Sequence, residues 1–187
     1  MHSPMSDVRT SASTFSSHDS AMAAWPTQSR DGTGRGWLLS LPGKRIVAVG
    51  ERELVHILPE VPMLRPIPRA PRHARRAMVW QQRILPVIDL AELFDEGTED
   101  SAVVPLIGVV AFSASGRKAT GLGALLLYGV PQRLETSMNE PREMPPRLQA
   151  LADWSLSCLE HPEHGEVPIL YLSKLFSRVP VPVAEVA

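Results

Sequence analysis

The sequence predicts an all-β protein with a few short helices. Eighteen of the 187 residues are proline, while aromatic residues make up only 5%, a composition that suits short strands joined by stiff turns better than long helices. Short apolar runs rich in Val, Ile and Leu recur between clusters of Gly, Pro and charged residues, as expected for strands bounded by turns. The spacing of proline and glycine favours two small β-barrels.

The first two apolar runs predict a hairpin. WLLSL (37–41) and IVAVG (46–50) flank the segment PGKR. Pro42 and Gly43 suit the two central positions of a type II turn, where one residue fixes φ and the other accepts a positive φ. The next segment, residues 51–58, is ambiguous between a short helix and a third strand, because its apolar residues fit either spacing.

A run in the middle of the chain, RILPVIDL (83–90), predicts a strand with both faces covered, because most of its residues are apolar and several are β-branched. Pro86 cannot donate to a sheet, which indicates an edge or a bulge. The segment AELF (91–94) predicts a helical turn directly after it. Asp89 is therefore interpreted as a helix cap rather than a catalytic carboxylate.

Strands are also predicted at residues 103–112 and 119–130. Within the second of these, Gly121 and Gly123 suggest a bulge or a tight bend.

Residues 141–160 are the best candidate for a longer helix. Pro145 and Pro146 suit its start, and apolar residues at helical spacing form a narrow stripe. That stripe comprises Leu148, Leu151, Ala152, Ser155 and Leu159. A last strand and turn, residues 167–176, resemble residues 84–94 in pattern, which suggests two similar β units.

The ends of the chain differ from its middle. Residues 1–35 are rich in small polar residues and lack a hydrophobic period, which predicts a disordered arm. Residues 179–187 predict an extended tail. One cysteine, no signal-peptide pattern and no apolar run of membrane-spanning length indicate a cytoplasmic protein without membrane insertion.

Prolines and arginines are concentrated in residues 59–76. The prolines predict an extended path with at most one helical turn after Pro71. The arginines are compatible with a solvated loop or with a docking surface for an acidic protein. Nucleic-acid binding is disfavoured because no aromatic residue interleaves with them and the net charge is −1.

The sequence contains no motif that predicts an enzyme. Catalysis needs titratable groups that converge in a pocket, and the common hydrolase, phosphate-loop and zinc-protease motifs are missing from the sequence. Cys158, His161 and His164 have side chains suited to zinc, but such local spacing rarely supplies a four-ligand site. A polar turn without metal or cofactor is the preferred interpretation, with Cys158 as a small apolar residue on the helix face.

The order of these motifs resembles the CheW-like coupling proteins of bacterial chemotaxis. The matching stretches are WLLSLPGKRIVAV, PIPRAPRHARRA, QQRILPVIDL, GALLLYGV and PILYLSKLF. The resemblance covers residues 36–178 and implies two five-stranded barrel subdomains around a shared core. It also implies a non-enzymatic adaptor between chemoreceptors and a CheA-type histidine kinase.

Matched positions imply two contact surfaces. Those implied to face the receptor are Leu54, His56, Arg76, Gln81 and Gln82, and those implied to face the kinase are Gly121, Leu122, Tyr128 and Gly129.

The chain departs from the family pattern at several of these positions. Gln81-Gln82 replaces the usual Arg-Gly pair, Arg76 a usual Gly, His56 a common acidic residue and Tyr128 a usual Asp. The alternative is therefore a diverged scaffold of type IV pilus (twitching) or surface-motility signalling. A small metal-dependent enzyme is the third alternative.

Overall fold

The structure is a computed structural model that describes residues 33–94, 106–113, 120–137 and 144–179. The strands are β1 (Thr33–Ser40), β2 (Ile46–Gly50), β3 (Leu54–Leu58), β4 (Arg65–Pro66), β5 (Arg76–Trp80), β6 (Arg83–Asp89), β7 (Leu106–Ser113), β8 (Thr120–Leu127), β9 (Gln132–Ser137), β10 (Ser155–His161) and β11 (Gly165–Leu170). The helices are α1 (Leu90–Leu93), α2 (Gln149–Ala152) and α3 (Leu172–Ser177), with 3₁₀ turns at Pro42–Lys44, Arg72–Ala74 and Pro146–Leu148. Among these residues, no helix has the length and apolar character to cross a bilayer.

The described strands form two sheets, which confirms the all-β prediction. One sheet has five strands in the order β10-β11-β2-β1-β9, and the other has six in the order β3-β7-β8-β6-β5-β4. The sixth strand, β4, has only two residues. The chain begins the first sheet, builds the whole second sheet from β3 to β8, and then returns to complete the first. The two β units are therefore not sequential halves of the chain.

The predicted hairpin is present. β1 and β2 pair antiparallel with Trp37 opposite Val49, and the Leu41 N–H donates to the Arg45 carbonyl at 2.8 Å to close the turn. Gly43 has φ +71°, as expected for a glycine at this position. β1 starts at Thr33, three residues before the predicted boundary at residue 36.

The ambiguous segment forms a strand. β3 pairs antiparallel with β7, with an irregularity of register between Leu54 and His56. The apolar spacing alone fitted both structures, and the pairing with β7 selects the extended one.

β6 is an interior strand and pairs with β5 without a bulge, so the prediction of an edge or a bulge at Pro86 was wrong. Pro86 lies opposite Ala77 of β5, but the parallel pairing of β6 with β8 starts only at Val87. The proline therefore stands where one side of the strand has no partner, and its missing N–H costs no ladder hydrogen bond.

Gly121 and Gly123 do not mark a bulge, because β7 and β8 pair without interruption from Leu106↔Leu127 to Ser113↔Thr120. A Cβ on Gly121 would collide with the ring of Phe112, and a Cβ on Gly123 with the ring of Phe176. The two rings stack with centroids 4.7 Å apart. The glycines make room for this aromatic pair.

The prediction of a helix over 141–160 was wrong. Residues 141–143 lie outside the described part, and within the rest only Pro146–Leu148 and Gln149–Ala152 are helical. Residues Ser155–His161 instead form β10, antiparallel to β11. β11 would otherwise present an unpaired edge, and covering it outweighs a weak local helix preference. Cys158 consequently lies buried in a strand, not on a helix face.

The similarity between residues 84–94 and 167–176 corresponds to two matching units. In each, a strand that pairs in parallel with another strand runs directly into a short helix: β6 into α1 and β11 into α3. Both helices bury leucines, including Leu90 and Leu172. The sequence similarity thus corresponds to a strand-to-helix connection that occurs twice in the described structure.

Three apolar clusters form the core within the described ranges. The largest lies between the sheets and contains Leu39, Leu41, Val47, Val49, Leu54, Ala74, Ile88, Leu90, Val110, Leu125, Leu127, Leu170, Leu172, Leu175, Phe176 and Val179. A second, around Met78, Leu85 and Val109, belongs to the six-stranded sheet, and a third, around Leu38 and Val167, to the five-stranded sheet. Val179 is in the first cluster, so the first residue of the predicted tail is part of the core. The remainder of the tail and residues 1–32 of the arm lie outside the described residues.

Candidate functional site: an Asp89 cluster and a hairpin tip

Asp89 is the one buried charged side chain among the described residues, with 3% of its surface exposed. It ends β6 and begins α1. Its Oδ1 accepts hydrogen bonds from the Ala91 N–H (3.1 Å) and, at the long limit of 3.4 Å, from the Glu92 N–H. The predicted helix cap is therefore confirmed.

Two side chains distant in sequence also bind Asp89. Tyr128 donates its hydroxyl to Oδ1 at 2.7 Å, and Arg76 donates Nη2 to Oδ2 at 2.8 Å. Burial raises the pKa of Tyr128, and the hydrogen bond to the negative carboxylate raises it further. Tyr128 thus remains a neutral donor at every physiological pH. We call Arg76, Asp89 and Tyr128 the Asp89 cluster.

The Asp89 cluster joins residues that the resemblance assigned to different partners. Arg76 was matched to the receptor side and Tyr128 to the kinase side, and both are departures from the family pattern. They lie on one face of the six-stranded sheet because Arg76 is opposite Val87 and Asp89 is opposite Leu126. Both departures therefore donate side-chain hydrogen bonds to one buried carboxylate.

The turn between β5 and β6 is the second feature. Trp80 and Arg83 form its last pair, and Gln81 and Gln82 between them have φ +47° and +62°. Two consecutive positive φ values are what a two-residue type I′ hairpin turn requires, and Asn and Gly normally occupy such positions. Both glutamines and Arg83 are exposed.

The six-stranded sheet curls so that β3 approaches this turn. The rings of His56 on β3 and Trp80 on β5 have centroids 6.1 Å apart, although three strands separate β3 from β5. A flat sheet would hold these strands about 19 Å apart. The sheet therefore curves strongly toward a barrel. We call His56, Trp80, Gln81, Gln82 and Arg83 the hairpin tip.

The residues implied for the receptor do not form one patch. His56, Gln81 and Gln82 meet at the hairpin tip. Leu54 is 8% exposed and packs in the core between the sheets, so its side chain cannot serve as a surface contact. Arg76 lies at the opposite end of β5 from the tip, about 13 Å away along the strand.

The residues implied for the kinase also separate. Gly121 and Leu122 are near the start of β8, while Tyr128 and Gly129 follow its end, roughly 20 Å further along. Leu122 packs against the core of the six-stranded sheet, and Gly121 is covered by the Phe112 ring. Val130, beside Gly129, is 72% exposed and was not singled out from the sequence. Nothing in the local pattern distinguishes it from a buried valine.

The cysteine–histidine stretch is arranged in a strand and its following turn. The rings of His161 and His164 stack with centroids 4.7 Å apart, and the buried Cys158 directs its sulfur to the Leu159 carbonyl at 3.8 Å. Within the described ranges, no three His, Cys, Asp or Glu residues are arranged to hold a metal ion.

A polar cleft of about 520 Å³ lies beside this turn. It is lined by Lys44, Arg45, Ile46, Arg147, Leu148, Leu151, Glu163, His164 and Glu166. Arg147 forms an ion pair with Glu166 within it. Since its cationic and acidic side chains are mixed, the cleft does not favour a ligand of one charge.

The sequence-family model of the CheW-like domain matches residues 37–154, which is more than half of the 187-residue chain. The chain belongs to the CheW-like domain family. A solved structure, the scaffolding protein TtCheW from Thermoanaerobacter tengcongensis, matches with a TM-score of 0.63 and 18% sequence identity, covering 82% of this chain and 92% of that one. A comparison with curated proteins finds no match.

The two sheets enclose a common core, as the resemblance to the CheW-like family implied. At 18% identity, the likeness to TtCheW concerns the fold. Membership of the CheW-like family supports an adaptor role in chemotaxis-type signal transduction at the level of protein class.

Proposed function

We propose that this CheW-like protein is a non-enzymatic, cytoplasmic adaptor that couples chemoreceptors to a CheA-type histidine kinase. The observation that carries the proposal is the family match over residues 37–154. An adaptor of this kind needs no chemistry of its own: if receptor and kinase both bind it, and binding differs between signalling states, the two equilibria are linked.

The hairpin tip is the proposed receptor contact. It offers exposed polar side chains in His56, Gln81, Gln82 and Arg83, next to the partly exposed ring of Trp80. A two-residue turn between paired strands is rigid, so little conformational entropy is lost when it binds. An interface of about 800 Å² per partner or less is expected, with most of the energy in a few central side chains.

The segment after β8 is the proposed kinase contact. Val130 supplies an exposed apolar anchor next to Tyr128 and Gly129. Because Tyr128 is bonded to the buried Asp89, this segment is held in place from inside the protein. Leu54, Gly121 and Leu122 are not included in the proposed contacts, because they pack against other residues of this protein.

The experiment is titration of the full-length protein with the kinase and the receptor tips encoded in the same genome. Val130→Asp should weaken kinase binding by about 10-fold and leave receptor binding unchanged. Arg83→Glu should weaken receptor binding by about 10-fold and leave kinase binding unchanged. Each variant is the control for the other, and a wild-type protein that binds neither partner would refute the adaptor proposal.

A diverged scaffold in type IV pilus or surface-motility signalling is the second candidate. It is favoured by one observation, the Gln81-Gln82 pair where the family usually has Arg-Gly. The double substitution Gln81→Arg/Gln82→Gly restores the usual pair, and Gln82→Gly alone controls for the change in backbone. Kinase coupling that improves only in the double variant supports a diverged chemotaxis adaptor. Unchanged coupling supports separate partners.

A further inference from the structure

The segment from Arg65 to Arg76 concentrates positive charge in a chain whose net charge is −1. Two of its five arginines are engaged: Arg76 with Asp89, and Arg75 with Glu92 at 2.9 Å. Arg65, Arg69 and Arg72 are exposed and have no acidic partner within 4 Å among the described residues. Within the described part of the chain, no carboxylate therefore competes with another molecule for these three guanidinium groups.

These arginines belong to one closed lobe. Arg65 and Pro66 of β4 pair with Ala77 and Arg76 of β5. The Ile67 N–H then donates to the Arg75 carbonyl at 2.7 Å and closes the loop between them. Arg69 and Arg72 therefore lie on a loop whose two ends touch, with Arg65 and Arg75 at its base. We call residues 65–75 the arginine lobe.

The arginine lobe is stiff and resists strand addition. Pro66, Pro68 and Pro71 fix φ at three positions. β4 is an outer strand of the six-stranded sheet, and Pro66 removes an N–H from that edge, as proteins do to prevent another strand from pairing there. A partner would therefore contact side chains, and binding would not require the lobe itself to become ordered.

Carboxylates are the groups that suit this surface best. The guanidinium fork binds a carboxylate through two parallel hydrogen bonds. Met63, two residues before Arg65, is 77% exposed and offers an apolar contact beside the charges. Single-stranded nucleic acid would need aromatic side chains to stack on, and residues 59–76 contain no Phe, Trp or Tyr.

We infer that the arginine lobe binds an acidic segment of a partner protein, with Arg65, Arg69 and Arg72 holding carboxylates. The lobe is at the opposite end of β5 from the hairpin tip, so this contact is separate from the proposed receptor surface. It does not depend on the adaptor proposal, because it follows from the charges and the loop geometry alone.

The test uses the full-length protein and a short fluorescein-labelled peptide of glutamates with two leucines. Fluorescence anisotropy is measured at about 50 mM and about 200 mM salt. The variant Arg65→Gln/Arg69→Gln/Arg72→Gln should bind at least about 10-fold more weakly at low salt, since each exposed pair contributes modestly. Its dependence on salt should also be flatter, because fewer charges take part.

A matched control is Arg35→Gln/Lys44→Gln/Arg52→Gln, three exposed cations outside the lobe. Both triple variants change the net charge from −1 to −4, so the general field of the protein changes equally. The control should lose less than about 2-fold in affinity. Thermal melting followed by circular dichroism verifies that both variants are folded.

Three results would overturn the inference. The wild-type protein fails to bind the acidic peptide below about 1 mM at low salt. The lobe variant and the control lose affinity equally, which would point to net charge alone. A thymidine oligonucleotide of equal charge binds more tightly than the peptide and depends on the same arginines, which would make the lobe a nucleic-acid surface.

Discussion

The role of Asp89 depends partly on its neighbours in sequence and partly on residues far away in the chain. The run of apolar residues before it and the AELF segment after it indicate a cap at the strand-to-helix junction, and its carboxylate does accept the Ala91 N–H. A carboxylate that is 3% exposed needs more than backbone partners. Arg76 supplies a positive charge and Tyr128 a second donor. Removing the carboxylate would take this hydrogen-bond acceptor away from both.

The first prediction concerns this carboxylate. Asp89→Ala should lower the free energy of unfolding by about 3 kcal/mol, because it removes a cap and leaves a half-buried arginine unpaired. Tyr128→Phe is the control and should cost about 1 kcal/mol, since one neutral donor is lost while the ion pair remains. Urea denaturation measures both. A cost under about 1 kcal/mol for Asp89→Ala would mean that the ion pair contributes little.

Glu53 gives a prediction for pH. Its Oε2 accepts the Gly50 N–H at 2.7 Å, but burial outweighs this bond and raises the pKa of Glu53 to about 7 from 4.5. The folded state therefore favours the protonated carboxyl. This stabilisation is complete below about pH 4.5 and is lost as the pH rises to about 7.

Glu53→Gln keeps an oxygen that can accept from Gly50 and removes the titration. The free energy of unfolding of the variant minus that of the wild type should increase by about 2 kcal/mol as the pH rises from 4.5 to 7.5. The difference between two urea series cancels other groups, including His73, whose pKa burial lowers. A difference that does not change with pH would show that Glu53 titrates normally in the folded protein.

At the scale of elements, the β5–β6 turn stores backbone strain. A side chain at positive φ costs about 1–2 kcal/mol per residue, and glycine avoids this cost at the expense of some chain entropy. Gln82→Gly should therefore raise the free energy of unfolding by about 0.5–1 kcal/mol. Gln82→Val should lower it by at least 1 kcal/mol, because β-branched residues rarely adopt this conformation. Thermal melting distinguishes these outcomes, and two equal effects would contradict the strain.

The packing of β8 against α3 depends on Gly123. A methyl group there would strike the Phe176 ring, which is itself stacked on Phe112. Gly123→Ala should cost about 2 kcal/mol, the usual effect of overpacking a core. Gly129→Ala is the control: its Cβ would be 3.4 Å from the Ser40 Cβ, so a change under about 0.5 kcal/mol is expected. If urea titration gave the same change in stability for Gly123→Ala and Gly129→Ala, the rings of Phe112 and Phe176 would be able to move aside.

At the scale of the whole molecule, the core between the sheets unites residues from both. Leu39 and Val49 come from the five-stranded sheet, and Ile88 and Leu125 come from the six-stranded one. The five-stranded sheet also needs strands from both ends of the described chain. Neither sheet can therefore keep this shared core if the other unfolds.

The whole-molecule prediction is a single unfolding transition. Leu125→Ala should destabilise both sheets together by about 3 kcal/mol through the lost burial and the cavity. Tryptophan fluorescence and far-ultraviolet circular dichroism should then give coincident urea curves. Leu134→Ala, in the core of the five-stranded sheet alone, is the comparison. Two separate transitions in either variant would show that the sheets fold independently.

Local chemistry in the sequence determined the features that need only neighbouring residues. The hairpin around Gly43, the strand Arg83–Asp89 and the cap at Asp89 follow from spacing, turn residues and capping within a few positions. The order of the motifs also led to the correct family. The partner surfaces were inferred from positions matched to the family. Among those positions, Gln81 and Gln82 lie at the exposed hairpin tip.

Tertiary structure alone decided what depends on residues far apart in the chain. Tyr128 reaches Asp89 across 39 positions, β10 exists because β11 lies beside it, and Gly123 is required by a ring more than fifty residues later. The hydrophobic period of residues 148–159 predicts a helix, and pairing with β11 overrides this local preference from Ser155 onward. Short-range patterns fix elements, whereas burial and pairing between distant segments fix which side chains meet.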